Sequence, residues 1–486
     1  MDFKIRTTKT SSGKTAIQII NYVNRKVNMV KHIGSADKED ELAILREKAE
    51  IWISDKIDKE GLFKKEDHFH KHYQYLGFLY SYAYEFIEKI YFKFNFNNHL
   101  NGLFKDLAIA RILEPRSKRD SLDFLNAFLN KQHSENILYK SIAMYDDKTK
   151  DSIEKEIVEI AKRDFGFDFS FVLYDVTTLY FESFKSDEFK KPGFSKDGKH
   201  NQPQIVIGLI VTKEGFPISY QIFKGNTFEG GTFLPILLEF KKKYGIKSLT
   251  VVADSAMLSK QNLDKLVESG LNYIIASRLA NLKEVLINKI DKEIKREDGE
   301  DIRLDNLIVD YSRKRYLKDK NEFEKQIEKA KKHLDTQTEK ITNIKYLKND
   351  KAKQYLNQKL IDQNVKLLGL KGYVTNLTEQ TNRDIIGYYH DLFKIEHAFR
   401  IAKSDLEARP IYHFKEESIK NHMLICFVAL AISVYLELKN NRSIASIVET
   451  LKSITDAKIL NKMTDEIIFD RVKYTEKSKE LEKMSY

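Results

Sequence analysis

Between residues 169 and 259 two β-branched, apolar runs each reach an aspartate. FSFVLYDVTTLYFE reaches Asp175 and KSLTVVADSAMLS reaches Asp254. Such runs read as buried strands, and a buried strand has no structural need of a carboxylate at its end. The plainer account is that each aspartate caps the turn or helix that follows. Between them, QIVIGLIVT (204–212) and PISYQIFKGN (217–226) read as strands, and GTFLPILLEFKKKYG (231–245) as a helix. The order strand, strand, strand, helix, strand, with acids on the first and last strands, predicts an α/β layer carrying two carboxylates at one sheet edge. That is the skeleton of a site for divalent metal ions.

The chain of 486 residues exceeds what one small core needs and suggests two to four units. Charged residues make up 32% and hydrophobic residues 42%, which fits a globular chain and excludes a disordered one. A formal charge of +11 favours a polyanionic partner, because each neutralised phosphate releases counterions. The single cysteine, Cys426, excludes an internal disulfide and fits a reducing, cytoplasmic setting. The N-terminus is polar from the start. The most apolar run, Met423 to Leu436, is shorter than the roughly 20 residues of a spanning helix, so it reads as a buried core helix with no membrane role.

Taken in order, residues 1–36 read as a β-meander: FKIRTTKT and TAIQIINYV flank a Ser-Ser-Gly-Lys turn, and VNMVKHIG adds a third strand. Residues 37–166 carry helical periodicity, including LGFLYSYAYEFIEKIYFKF. A basic turn after Pro115 (Arg116, Lys118, Arg119) reads either as a DNA-backbone contact or as an ordinary solvated turn. His68, His70 and His72 alternate, but no cysteine or fourth ligand stands near them, which argues against a metal site. Residues 167–281 hold the strand-and-helix core, closing with a helix at 259–270 and a fifth strand at 272–281. Residues 282–380 form a charged, mainly helical insertion. In it Phe323, Ile327, Ala330, Leu334, Gln337, Ile341 and Ile344 trace a heptad seam. A return helix over 349–370 would make this an intramolecular hairpin, and a dimer contact is the other reading. Residues 381–440 complete the core, and 441–486 read as a helical tail.

A third acid comes from TNRDIIGYYHDLFKIEHAFRIAKSDLEARP, which predicts one amphipathic helix ending before Pro410. Tyr388, Leu392, Ile395, Phe399, Ala402 and Leu406 share a face, with Glu396 at its border. Tyr389 and Lys403 lie seven residues to either side of Glu396 and Arg400 one turn on, so one edge carries aromatic, acid and base over roughly 20 Å. An ordinary i,i+4 pair of Glu396 with Arg400 is the simpler account. The coexistence with two strand-end aspartates favours a site. Two Mg²⁺ ions about 3.5 to 4 Å apart activate a water or hydroxyl and stabilise the leaving oxyanion in phosphodiester chemistry, and a few hard carboxylates suffice to hold them.

YDVTTLYFES, GFSKDGKHNQPQIVIGLIVTKEGFPISYQIFKGNTFEGGTFLP and VVADSAMLS resemble the DDE insertion-sequence transposases of the IS4-like group, most nearly its IS1634 family. Tyr389, Glu396 and Lys403 match that group's Tyr-Arg-Glu-Lys signature in spacing, while Leu392 stands where the group has arginine. The resemblance implies an RNase H-like fold, a mixed five-stranded sheet with flanking helices, interrupted by the long insertion. It implies catalytic and metal-holding roles for Asp175, Asp254 and Glu396, with two Mg²⁺ ions for which Mn²⁺ can substitute. It places Tyr389 and Lys403 near DNA phosphates, with Arg400 a partial substitute for the missing arginine and the loop Lys190 to Lys199 a further contact. The implied partners are double-stranded DNA, as inverted-repeat ends read by residues 37–166 and as target, and a second copy in a synaptic homodimer. A plain metal-dependent nuclease and a non-catalytic DNA-binding relic remain as rivals.

Overall fold

The computed structural model describes residues 3–11, 13–23, 26–60, 72–194, 198, 199, 201–335, 344–350, 353–471 and 479. They fall into two compact units, Met1–Gly77 with Ala457–Asp470, and Phe78–Asp456 with Arg471–Tyr486.

The larger unit is built on an eight-stranded mixed sheet. Its strands are β1 (Phe171–Tyr180), β2 (Gln204–Val211), β3 (Pro217–Lys224), β4 (Thr250–Ala253), β5 (Asn272–Ser277), β6 (Asp301–Leu304), β7 (Leu307–Tyr311) and β8 (Leu370–Thr375). Their spatial order is β6-β7-β8-β5-β4-β1-β2-β3. β1, β2 and β3 form an antiparallel meander, whereas β4 and β5 run parallel to β1. Every residue of β2 is buried, as expected of an apolar run covered on both faces. On one face α1 (Glu229–Tyr244) packs Phe233 against Tyr174, whose hydroxyl shares a 2.7 Å hydrogen bond with Thr232. Gly208 makes room for that phenol: a Cβ there would lie 2.7 Å from its oxygen.

The sheet has eight strands, not the five expected. Helices Glu284–Glu293, Arg313–Asp335 and Gln358–Leu367 hold most of the insertion's regular structure, and it also supplies strands β6, β7 and β8, which add antiparallel strands to the open edge of β5. Short apolar runs such as LIVDY and LKGYVT carry too few residues to stand out between charged helices. Pairing satisfies the backbone groups that an open edge would leave exposed. Of the heptad seam, Phe323, Ile327, Ala330 and Leu334 lie on one helix. That helix covers Arg313–Asp335, Gln337 and Ile341 lie outside the described residues, and Ile344 is not helical. Phe323 packs on Tyr346 instead, with ring centroids 5.4 Å apart. The expected return helix is a strand pair (Leu347–Asp350 with Lys353–Leu356) followed by the short helix Gln358–Leu367.

Helices Ser81–Lys93, Gly102–Leu113, Lys118–Leu129, Glu135–Ile142 and Asp147–Phe165 share one continuous apolar core with the sheet. Their boundaries are local chemistry. The side chains of Asn101, Ser117 and Asp146 cap three of the N-termini, accepting from Phe104, Asp120 and Thr149 amides at 2.9, 3.2 and 2.9 Å. Gly166, at φ 67°, ends the last helix. The other face of the sheet is covered by α2 (Asn382–His390), α3 (Phe393–Arg400) and α4 (Glu416–Asn440). By length and composition α4 could cross a bilayer, yet 94% of its most apolar stretch is buried inside the fold. It is a core helix.

The α4 residue Tyr435 donates to Asp164 Oδ2 at 2.8 Å, Arg163 Nε donates to Oδ1 at 2.8 Å, and Lys93 lies 3.4 Å away. Burial raises the Asp164 pKa, but these donors outweigh it and bring it down to about 2. A carboxyl whose folded pKa is depressed stabilises the fold above its unfolded pKa, near 4, and loses that contribution as pH falls toward 2. Asp164→Asn is therefore expected to flatten the acid limb of stability between about pH 4 and 2. Urea midpoints measured across that range for both proteins check this, and parallel curves would exclude it.

The smaller unit contains the meander Lys4–Lys9, Thr15–Val23 and Lys26–Ala36, with helix Glu39–Glu60. Ile17, Ile19, Ala36, Leu42 and Ala49 form its core, and Phe3 meets Trp52 edge-on at 5.8 Å. Two departures from the sequence reading lie where the chain passes between units. Tyr73–Leu79 is a strand where helical periodicity was read, and the tail expected to be helical holds helix Ile444–Lys452, then strands Asp456–Asn461 and Glu466–Arg471. These three strands pair into one sheet, in which tertiary pairing outweighs a weak helical pattern. His68 and His70 lie outside the described residues.

Candidate active site

Asp175 lies midway along β1 and Asp254 is the first residue beyond β4. The two strands are parallel neighbours with Tyr174 paired to Ala253. Each acid is thus one residue beyond a paired position, which sets them side by side at the strand spacing of about 4.8 Å. Alternation along β1 puts Asp175 on the face of Phe171, whose ring lies 4.9 Å from that of Tyr388 in α2. It therefore faces the glutamate-bearing segment and not α1. Asp254 is exposed. Its Oδ1 accepts the Ser255 amide at 2.6 Å, opening a 3₁₀ turn, and the Tyr389 hydroxyl at 3.4 Å. The capping role considered for Asp254 is thus real, and it coexists with a place at the sheet edge.

Glu396 is exposed on α3. The single long helix expected over 381–409 is three pieces: α2, α3 and a π-turn over Ile401–Asp405. Between α2 and α3 the chain tightens, with Leu392 and Ile395 amides bonding three residues back to Tyr389 and Leu392 carbonyls. The apolar face is preserved, since Leu392, Ile395, Phe399 and Leu406 are all buried. The π-turn changes the angular position of Lys403, so it does not simply continue the Tyr389–Glu396 edge. Lys403 borders a cleft lined by Thr177, Leu209 and Phe427. Arg400 does not pair with Glu396: its Nη2 lies 2.6 Å from His397 Nδ1, and His397 Nε2 lies 2.5 Å from Glu437. Leu392 is 6% exposed, so the position that carries arginine in the IS4-like signature packs inward here.

Tyr389 is the α2 residue that reaches Asp254. Burial raises the pKa of its phenol most, followed by the charge of Asp254 and its hydrogen bond, then the charges of Glu396 and Asp175. The hydroxyl therefore stays a proton donor across the working pH range. Its ring packs 5.0 Å from Tyr373 of β8, and the Lys371 ammonium sits 4.1 Å above it. Sequence reasoning missed Lys371. It pairs across the sheet with Asp310 of β7 and lies in the field of Asp254 and Glu396. Burial, then Arg315, lower its pKa to about 8, against the pull of Asp310, Asp254 and Glu396. Nothing local in LKGYVT marks that lysine; only the placement of β8 next to β5 brings it to the acids.

Hard carboxylate oxygens on adjacent strands suit Mg²⁺. Among the described residues, however, no three His, Cys, Asp or Glu side chains form a group able to hold a metal ion. The aspartate pair on neighbouring strands fits the ion's chemistry.

Residues 166–432, more than half of the sequence, match the transposase DDE domain family, and the chain belongs to that family. No curated protein matches it. Among solved structures, a cryo-EM piggyBac transposase synaptic complex with hairpin DNA overlays with a TM-score of 0.40 at 10% identity, covering 72% of this chain and 69% of that one. The crystal structure of Marinitoga piezophila Argonaute with 5′ OH guide RNA overlays with a TM-score of 0.22 at 11% identity, covering 80% and 67%. At those TM-scores neither overlay bears on the argument.

Proposed function

We propose that this chain is the transposase of an insertion sequence of the IS4-like group, on an RNase H-like core, which cuts the ends of its own element and joins the freed 3′ ends to target DNA. The observation that carries the reading is the parallel pairing of β1 with β4, which brings Asp175 and Asp254 beside each other with the Tyr389 hydroxyl 3.4 Å from Asp254. Family membership supports it.

In this reading Asp175, Asp254 and Glu396 would hold the divalent metal. The metal, Mg²⁺ or Mn²⁺, supplies an activated nucleophile and charge for the leaving oxyanion. The chain's own groups do the rest. Tyr389 holds the Asp254 carboxylate in place through its hydroxyl. Lys371 presents positive charge beside the acids, where a scissile phosphate would lie. Lys403 and Arg400 contact the backbone of the transposon end, and a second copy brings the other end in a homodimeric synapse.

The lack of a three-carboxylate group among the described residues is also what a non-catalytic DNA-binding relic would show. A pre-cleaved transposon end incubated with supercoiled target and Mg²⁺ should yield joined product. A plain nuclease would degrade the target without joining, and a relic would bind the end and leave both DNAs intact.

A further inference from the structure

A second cationic centre lies beyond the C-terminal end of β1. A cavity of about 600 Å³ opens between the start of helix Lys118–Leu129 and the chain over 407–422. Its wall carries Arg111, Arg116, Lys118, Arg119, Arg409 and Lys415 and the carboxylate of Glu407, while Arg116 and Arg119 are paired with Glu114 and Glu135 at 3.1 and 3.7 Å. Arg111 is engaged in holding the two segments together, donating to the Leu406, Glu407 and Arg116 carbonyls at 3.0, 3.1 and 2.8 Å. Lys118 is 7% exposed, and its ammonium meets His413 Nε2, not a carboxylate. The His413 ring lies 5.4 Å from that of His422. His422 Nε2 reaches the Ala408 carbonyl at 3.2 Å, leaving its buried Nδ1 without a partner.

Burying a lysine and an imidazole with no counter-charge is costly. Burial, then the neighbouring cations, push Lys118 and His422 well below their ordinary pKa values and His413 down to about 3. An anion entering the cavity would relieve that cost for all three. The rim points to a polymer and not a free ion. Arg116, Arg119 and Lys415 are exposed, and Tyr412 and Phe414 stand 58% and 63% exposed beside them, as aromatics do in nucleic-acid grooves. Tyr180, five residues beyond Asp175 on β1, stacks on the Arg409 guanidinium at 5.6 Å. That strand length is about 17 Å, or about five base-pair steps of duplex.

We propose that this pocket clasps a backbone phosphate of the DNA on which the acids act, at a distance from the cut. The proposal rests on the DNA-processing reading above. Binding of the full chain to a duplex bearing the element's own end, and to a scrambled duplex, would be followed by fluorescence anisotropy from about 50 to 200 mM salt. Lys118→Met and, at the rim, Lys415→Gln are each expected to weaken both duplexes about tenfold and to reduce the slope of log K against log salt by about one. Thermal melting confirms that each variant is folded, and Lys415→Gln carries the test if Lys118→Met does not fold. Unchanged slopes with intact wild-type binding would overturn the pocket and leave the function standing. Wild type that binds no duplex would overturn the function itself. Orthophosphate that stabilises wild type but not the variants, with unchanged DNA slopes, would assign the pocket to a free anion and overturn the DNA-phosphate proposal.

Discussion

Asp254→Ala is expected to abolish cleavage of the element's ends, by about 10³-fold or more (~4 kcal/mol of transition-state stabilisation), while leaving end binding nearly unchanged. The split follows from where the residue sits. Asp254 is exposed at the end of β4, and its hydrogen bonds run to the Ser255 amide and the Tyr389 hydroxyl. Losing the cap costs about 1 kcal/mol of stability, too little to unfold the chain. Losing the carboxylate removes one of the two oxygen ligands that the paired strands set side by side. Gel retardation and cleavage on the same labelled end, with Mg²⁺ and with Mn²⁺, read the two properties separately. Cleavage within tenfold of wild type would refute the site.

The largest effect on stability is expected at Glu154, which has no part in the chemistry. Its carboxylate is 1% exposed yet accepts from Lys243 at 2.6 Å, Lys150 at 2.9 Å, the Ser219 hydroxyl at 3.1 Å and the Tyr220 amide at 3.1 Å. It ties helix Asp147–Phe165 to β3 and to the end of α1. Replacing it by alanine strands the buried Tyr220 amide and takes the carboxylate from Lys150, while Lys243 keeps Asp151 at 2.6 Å; breaking a buried pair from one side costs about 3 to 5 kcal/mol. Glu154→Gln should recover part of the loss, because an amide oxygen can still accept from Tyr220. Urea denaturation of the three proteins measures this; a loss under about 1 kcal/mol for Glu154→Ala would show that water replaces the carboxylate.

The legible part of the fold is its locally periodic part. The runs now seen as β1 to β5, and α1 between them, announce themselves because each buries apolar side chains at a period that neighbours in sequence already display. Tyr389 and Glu396 are legible through spacing on a helix. Lys403 is less so, because a π-turn breaks the regular geometry that spacing assumes. The edge strands β6 to β8 are not legible: LKGYVT becomes a strand only because β5 offers an unpaired edge about a hundred residues earlier in the chain.

The sequence by itself determined that two strand-borne aspartates and a helical glutamate exist, which faces of those elements are apolar, and the family to which they belong. Tertiary structure alone decided that Asp175 and Asp254 sit side by side, that Lys371 joins them from the insertion, and that Lys118 meets His413 in a buried pocket. The physical reason is range. Periodicity follows from the geometry of one strand or helix, whereas which edges pair and which charges share a cavity depends on chain segments that carry no mark of each other.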